Sequence, residues 1–158
     1  MKNLLFVFLA FFQLQTQNIL TGKVIKVADG DTVTILTSEN KQVKIRLDGI
    51  DCPERKQDFG TKAKNFTNSF CYGKVVKVNV KGLDRYGRTL GVVWAGSVNL
   101  NEELLRNGLA WHYKKYNHSQ RYANIEKQAK NKKLNIWSVP NPVAPWDFRK
   151  QKKAKQNR

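Results

Sequence analysis

The stretch Lys44-Ile-Arg-Leu-Asp-Gly-Ile-Asp-Cys-Pro-Glu54 sets the organisation of the rest of this chain. Apolar and charged residues alternate in its first half, which is the period-two pattern of a half-buried β-strand. Pro53 ends the strand because proline has no N–H to donate to a sheet. The strand end therefore brings Arg46, Asp51 and Glu54 to one rim, either as a surface ion-pair cluster or as a binding site.

Two glycine-containing turns carry further charged residues towards this rim. Asp29-Gly30 is a hairpin signal between β-rich runs, and Asp31 follows it, either to shape the turn or to face Asp51. A second turn, residues 84–89, carries two arginines between two strands. Carboxylate oxygens suit Ca²⁺ or Mg²⁺, and forked guanidinium groups bind phosphate oxygens bidentately. The pattern predicts a hard-cation site that faces a phosphate, with Asp31 and Asp51 as the best candidates for direct metal ligands.

Four motifs follow one another along the chain: D-G-D-T at 29–32, R-L-D-G-I-D-C-P-E at 46–54, D-R-Y-G-R at 84–88 and K-L-N-I-W at 133–137. Together they resemble the staphylococcal nuclease (thermonuclease-like) family, over roughly residues 22–137. Each motif alone is weak, whereas four in order at domain-scale spacing are specific. The resemblance implies an OB-fold barrel with helices that cleaves DNA and RNA with Ca²⁺ and leaves 3′-phosphate ends.

The resemblance also implies which residues hold the metal. Asp31 and Asp51 match positions that bind Ca²⁺, together with a backbone carbonyl at the position of Cys52. Because that last ligand is main chain, a cysteine in place of the familiar threonine leaves it intact. Glu54 matches the residue that contacts the metal-bound water, as general base or water-orienter.

Substrate contacts are implied at two further places. Arg46 and Arg88 match the two arginines that clamp the phosphate, against the alternative that they are ordinary surface strand arginines. Arg85 stands where the family often has a lysine that contacts nucleotide phosphate. Tyr86 either makes a similar contact or packs against the barrel.

Two aromatic residues are candidates for base stacking. Trp111 and Tyr113 lie two positions apart on an extended stretch, and therefore on one face. They either stack on a base, as aromatic residues do in OB grooves, or pack into the core. The neighbouring His112 and His118 are assigned no catalytic role.

The order of elements predicts an α+β, mainly β fold, a five-stranded OB-fold Greek-key barrel with three helices. Short β-branched runs predict strands at 24–27, 32–37, 42–47, 75–80 and 89–94. An apolar stripe predicts a helix after the third strand, with Phe59, Ala63, Phe66 and Phe70 on its inner face. Asn99 and Ser119 are predicted to cap the two later helices.

The composition favours a polyanionic partner. The chain has 158 residues, enough for one domain with a core, and a formal net charge of +17 at pH 7. Such a charge favours nucleic acid first and an anionic membrane second. We therefore expect DNA and RNA substrates, with single strands preferred, no obligate protein partner and a monomer.

The ends of the chain differ from its middle. Residues 1–17 combine a basic start with an unbroken apolar run, which predicts a signal peptide, or a membrane anchor if it is not cleaved. We therefore expect a secreted or periplasmic protein with a nuclease domain at 18–146 and a basic, disordered tail at 147–158. In an exported protein Cys52 and Cys71 either form a disulfide or remain thiols.

The main alternative to an enzyme is a nucleic-acid-binding OB module whose nuclease site is inactive. Degenerate members of the family typically lose acids or arginines, whereas this chain keeps the five central positions, Asp31, Arg46, Asp51, Glu54 and Arg88. A basic protein that only binds anionic cell surfaces would not need converging carboxylates. The sequence therefore favours an active nuclease.

Overall fold

A computed structural model describes residues 18–156, so the predicted signal peptide or anchor at 1–17 lies outside the described residues. The strands are β1 (Ile19–Asp29), β2 (Thr32–Leu36), β3 (Gln42–Leu47), β4 (Ile50–Asp51), β5 (Val75–Leu83), β6 (Thr89–Ala95), β7 (Val98–Asn99) and β8 (Trp111–His112). The helices are α1 (Gly60–Cys71), α2 (Leu100–Arg106), α3 (Gln120–Asn131) and α4 (Pro145–Gln156), with a short 3-10 helix at Asn135–Ser138. Within residues 18–156 no helix is long and apolar enough to span a membrane.

The five longest strands form a closed barrel. β1 pairs antiparallel with β2 and with β5, β2 pairs with β3, and β5 pairs with β6. The barrel closes where β3 runs parallel to β6, with Ile45 opposite Thr89. This topology confirms the predicted mainly β, five-stranded OB-fold. The short β4 and β8 pair separately and connect the barrel rim to the segment after α2.

The inner faces of the strands form the core, as their alternating patterns predict. The fully buried barrel residues are Val24, Val33, Ile35, Ile45, Val78 and Val93. Helix α2 adds Leu100, Leu104 and Leu105, which are also fully buried. Burial of each such side chain contributes about 1.5–3 kcal/mol, so α2 is an integral part of the fold.

Helix α1 packs on β1 through a face that differs from the predicted stripe. Its buried residues are Gly60, Ala63, Thr67 and Cys71, and Phe66 and Phe70 are only partly buried. The reason is close approach to the barrel: a Cβ at position 30, after β1, would overlap Ala63 of the helix. The small residues therefore face inward, and Thr67 Oγ1 donates a hydrogen bond to the carbonyl of Gly30 at 2.6 Å.

Both predicted helix caps are confirmed. The Asn99 side chain accepts a hydrogen bond from the Glu102 N–H at 3.2 Å, and the Ser119 hydroxyl accepts one from the Tyr122 N–H at 3.3 Å. Each bond pairs an N–H that the first helical turn leaves without a partner.

Helix α4 corrects the prediction for the end of the chain. Residues 147–156, predicted as disordered tail, are helical, so the structure has four α-helices in 18–156 instead of three, and the predicted boundary at 146 falls inside α4. Pro145 stands at the first helical position, where its missing N–H costs nothing. Asp147 lies in the first turn and lysines lie in the last, as the helix dipole favours.

Candidate active site

Asp31, Arg46 and Asp51 form a buried group at the barrel rim, which we call the acid–arginine cluster. Asp31 Oδ2 lies 3.0 Å from Arg46 Nη1, and Asp51 Oδ1 lies 2.7 Å from Arg46 Nη2. The Arg46 side chain is 12% exposed and that of Asp51 is 1% exposed. The structure therefore brings these three residues together as the sequence predicts.

Backbone pairing fixes the acid–arginine cluster. Thr32, the residue after Asp31, lies opposite Arg46 in the β2–β3 ladder. Arg46 Nη1 also donates to two carbonyl groups of the β3–β4 connection, both at 3.1 Å. Asp31 Oδ2 accepts a hydrogen bond from the Cys52 N–H at 2.7 Å. Because each group is held from several sides, the side chains of the cluster have fixed positions.

A further carboxylate at the end of β1 adds negative charge to this rim. Burial, and then the charge of Asp31, raise the pKa of Asp29 from 3.8 to about 6. Among residues 18–156 the buried Oδ1 of Asp29 has no hydrogen-bond partner. Burial also raises the pKa of Asp51, in spite of hydrogen bonds from Arg149. These carboxylates crowd negative charge at the rim, which is where a cation would bind favourably.

The donors at this rim fit a divalent cation. Asp31, Asp51 and the main-chain carbonyl of Cys52 are hard oxygen ligands of the kind that Ca²⁺ prefers. In the described part of the chain no three His, Cys, Asp or Glu side chains are arranged as a metal cluster. The side chains would therefore supply two ligands, and main-chain and solvent oxygens would supply the rest of about six to eight.

Glu54 is connected to the cluster by Arg149, a residue of α4 that the sequence did not indicate. Arg149 Nη1 lies 2.7 Å from Glu54 Oε1, and Arg149 Nη2 lies 2.7 Å from Asp51 Oδ2. Pro145 followed by an acidic residue was a signal for a helix in this segment. No local pattern, however, indicates that such a helix returns to the site.

The second predicted arginine lies in the turn between β5 and β6. Arg88 Nε donates to Asp84 Oδ2 at 2.6 Å, and its side chain is 27% exposed. Over residues 18–156 no hydrogen bond or salt bridge joins Arg88 to the acid–arginine cluster or to Glu54. Arg85 and Tyr86 are exposed in the same turn, with the Arg85 guanidinium 4.7 Å from the centre of the Tyr86 ring. These three residues are therefore accessible from solvent beside the strand that pairs with β3.

Trp111 and Tyr113 pack against aromatic residues of their own chain. Trp146 stacks on Tyr113 with ring centroids 5.0 Å apart and planes at 5°. Trp137 and Trp146 meet Trp111 edge to face, with centroids at 4.4 and 5.7 Å. Both side chains are half-buried, and their aromatic neighbours include Trp146 in helix α4.

The two cysteines are free and buried, so no disulfide joins them. Burial raises the pKa of the Cys71 thiol from 9.0 to about 11. Burial likewise raises the pKa of Cys52 well above its ordinary value. Both side chains act as small apolar residues of the core.

The barrel is that of an OB-fold protein, and its rim brings carboxylates together with arginines. Residues 44–139 match the family model described as Staphylococcal nuclease homologue, a range that contains Arg46, Asp51 and Glu54. The chain belongs to this family and is a nuclease.

Similar proteins match along most of the chain. An uncharacterized endonuclease of Haemophilus influenzae is 43% identical over 133 residues, which cover 84% of this chain and 75% of the relative. An uncharacterized endonuclease of Escherichia coli is 41% identical over 132 residues, which cover 83% of this chain and 86% of the relative. A micrococcal nuclease of Shigella flexneri is 36% identical over 148 residues, which cover 86% of this chain and 84% of the relative. These matches confirm the resemblance that the four motifs indicated.

Proposed function

We propose that this nuclease is a Ca²⁺-dependent, sugar-non-specific endonuclease that hydrolyses phosphodiester bonds in DNA and RNA and leaves 3′-phosphate ends. The acid–arginine cluster supports the proposal most directly, because Asp31 and Asp51 converge on Arg46 with contacts of 3.0 and 2.7 Å. The same proposal includes preference for single strands, a monomeric state and a secreted or periplasmic location after removal of residues 1–17.

Hydrolysis of a phosphodiester requires positive charge beside the phosphoryl oxygens and a positioned water. Asp31, Asp51 and the Cys52 carbonyl would hold Ca²⁺, which supplies part of that charge when bound. Arg46 adds a guanidinium that cannot lose its charge at working pH. Arg88, in the neighbouring turn, is free to donate bidentately to a phosphate once it leaves Asp84.

Glu54 is the residue that we assign to the attacking water, as base or orienter. Its side chain is 41% exposed, whereas that of Asp51 is 1% exposed. Access to solvent suits a carboxylate that handles a water molecule, and burial suits a carboxylate that holds a cation. We therefore assign Asp51 and Glu54 different roles on the basis of their environments.

The test is Glu54→Gln, which keeps the size of the side chain but removes its capacity to accept a proton. We expect turnover of single-stranded DNA, duplex DNA and RNA in Ca²⁺ to fall about 10²–10⁴-fold. Oligonucleotide affinity should hold or rise, because a negative charge is removed beside a polyanion. Glu39→Gln, in an exposed pair with Lys41 in the β2–β3 turn, is the matched control.

The same assay distinguishes an enzyme from an inactive OB module. Wild-type protein is incubated with each nucleic acid in Ca²⁺, in Mg²⁺ and in chelator, and the ends of the products are identified. If the wild-type protein binds nucleic acid but cuts none of it with any divalent metal, the nuclease proposal is wrong and the inactive binding module is the better description. Unchanged turnover in Glu54→Gln would remove only the role of Glu54.

A further inference from the structure

Helix α4 lies against the candidate active site and makes two kinds of contact there. Trp146 stacks on Tyr113 at 5.0 Å and meets Trp111 edge to face at 5.7 Å. Arg149 follows three residues later and therefore on the same helical face. Its guanidinium bonds Glu54 Oε1 at 2.7 Å, Asp51 Oδ2 at 2.7 Å and Asp51 Oδ1 at 3.3 Å. Aromatic packing and charge pairing thus hold one face of α4 on the site.

The segment before α4 is attached to the same loop as Glu54. The Gln57 side chain donates to the carbonyl of Val143, and its Oε1 accepts from the Glu54 N–H at 3.1 Å. Ala144 and Pro145 are buried. Residues 143–156, which we call the strap, therefore fold onto the loop that carries the proposed base and onto the acids.

Asp51 is the point at which the strap meets the proposed metal site. Its Oδ1 accepts from Arg46 Nη2 at 2.7 Å, and its Oδ2 accepts from Arg149 Nη2 at 2.7 Å. A cation and a guanidinium on the same carboxylate repel each other, so a cation at Asp51 would weaken at least one of these bonds. Arg46 is held by the barrel and is 12% exposed, whereas Arg149 lies on α4 and is 43% exposed. The bond to Arg149 is therefore the one that can be released.

We propose that Arg149 is an intramolecular competitor of the divalent cation, and that the strap must leave Asp51 before the cation binds. This inference rests on the Ca²⁺ site proposed above. Release of the strap also uncovers Tyr113 and Trp111, whose rings offer the stacking surface on which single-stranded bases bind. A single movement thereby makes both the metal ligand and the base-stacking surface available, and Arg149 sets the metal affinity of the site.

Thermodynamic linkage between strap release and cation binding gives the expected change in Ca²⁺ affinity. If only a fraction of the molecules has the strap released, the apparent dissociation constant of the cation rises by the inverse of that fraction. Minor conformations are populated at about 0.1–10%, and a released fraction of about 1–10% corresponds to an affinity about 10–100-fold weaker than that of an open site. The coupling is reciprocal, so bound cation must weaken docking of the strap by the same factor.

Calorimetric titration of the full chain with Ca²⁺ tests this coupling. Arg149→Gln should bind Ca²⁺ about 10–100-fold more tightly than wild type. Lys152→Gln is the matched control, because it removes the same charge from an exposed position of the same helix, and its affinity should equal that of wild type. Trp146→Ala releases the strap without changing any charge and should also tighten binding.

The outcomes separate this inference from the proposed function. Equal, measurable affinities in wild type and Arg149→Gln would overturn the competition and leave the Ca²⁺ site standing. Weaker binding in Arg149→Gln would also overturn it, because Arg149 would then support the cation. Failure of every variant to bind Ca²⁺ would remove both this inference and the Ca²⁺ dependence.

Hydrogen exchange supplies a second measurement that does not depend on catalysis. Amide exchange over residues 145–156 should be faster in saturating Ca²⁺ than in chelator, whereas exchange in α3 should not change. Unchanged exchange in α4 while calorimetry reports bound Ca²⁺ would overturn displacement of the strap.

Discussion

Arg46 combines a structural and a chemical role because it is buried between two carboxylates. Burial alone would lower the pKa of Arg46, but the charges of Asp31 and Asp51 outweigh burial and raise that pKa above its ordinary value. The guanidinium therefore remains charged. Arg88 differs, since it is partly exposed and its partner Asp84 lies in its own turn. The family resemblance assigns both arginines to the same phosphate, but only Arg46 also has a structural role, since it pairs with buried carboxylates of the barrel rim.

We predict that Arg46→Ala lowers both stability and turnover, whereas Arg88→Ala lowers mainly turnover. Removal of Arg46 takes away the buried guanidinium that Asp31 and Asp51 share and leaves Asp51 paired only with Arg149, which costs about 3–5 kcal/mol. Loss of a donor to the transition state costs about 10²–10³ in rate for either residue. Urea denaturation and initial rates in Ca²⁺ measure the two effects. Wild-type stability in Arg46→Ala would contradict the structural role of the cluster.

We also predict that Cys71 resists alkylation in the folded protein. Its pKa is raised from 9.0 to about 11, so the folded state favours the thiol and the reactive thiolate forms only as the pH approaches the higher value. The preference of the fold for the neutral thiol adds stability below the ordinary pKa and is lost as the pH rises through about 11. Iodoacetamide labelling followed by mass spectrometry tests this, with urea-unfolded protein as the positive control. Rapid native labelling below the ordinary pKa would contradict the burial of this thiol.

Helix α2 shows how single polar residues fix an element in place. Asn99 caps its first turn. Asn101 is fully buried, accepts a hydrogen bond from the Val93 N–H at 3.1 Å and donates one to the Asp48 carbonyl at 2.9 Å. The helix is thereby joined both to β6 and to the turn that follows β3, which carries the chain from Arg46 to Asp51.

We predict that Asn101→Ala destabilises the protein more than Asn99→Ala does. The first substitution leaves a buried N–H and a partly buried carbonyl without these partners, which costs about 1–3 kcal/mol for the buried N–H alone. The second removes one cap, which costs about 0.5–2 kcal/mol. Chemical denaturation of both variants gives the comparison, and Ser119→Ala, the cap of α3, serves as the matched control. An equal loss of unfolding free energy in Asn99→Ala and Asn101→Ala would show that Asn101 does not join α2 to β6 and to the turn after β3.

At the scale of the whole molecule, the net charge of +17 dominates the approach of a polyanion. The lysines at the end of α4 are exposed, so they add to this field without a role in the barrel. A surface of this kind binds through release of counterions from the nucleic acid, and its affinity therefore depends steeply on salt.

We predict that the double variant Lys153→Gln/Lys155→Gln binds single-stranded oligonucleotide with a shallower salt dependence. Each lost phosphate contact reduces the slope of log K against log salt by about 0.7, or about 1.4 for both. Fluorescence anisotropy in chelator measures the slope, and Lys41→Gln, on the far turn beside Glu39, is the control. A flat salt response of the wild-type protein would contradict electrostatic recognition altogether.

Local features of the sequence determined most of the barrel and the central residues of its site. Alternation predicted β2 and β3, and the side-chain oxygens of Asn99 and Ser119 predicted two helix starts. Strand alternation and turn residues act over a few positions, so they can be recognised in the sequence itself. The motifs then identified Asp31 and Asp51, which the β2–β3 ladder and the β4 strand bring to Arg46.

Only the tertiary structure decided what the end of the chain does. Locally, residues 147–156 are a lysine-rich segment, and nothing in that composition reveals a partner. The helix is stabilised by contacts with Tyr113 and with Glu54, and the latter is separated from Arg149 by 95 positions. The free energy of such contacts depends on where the barrel places both partners. The lysine-rich composition therefore indicated a solvated tail, whereas in the folded protein the same residues form a helix that packs on the candidate active site.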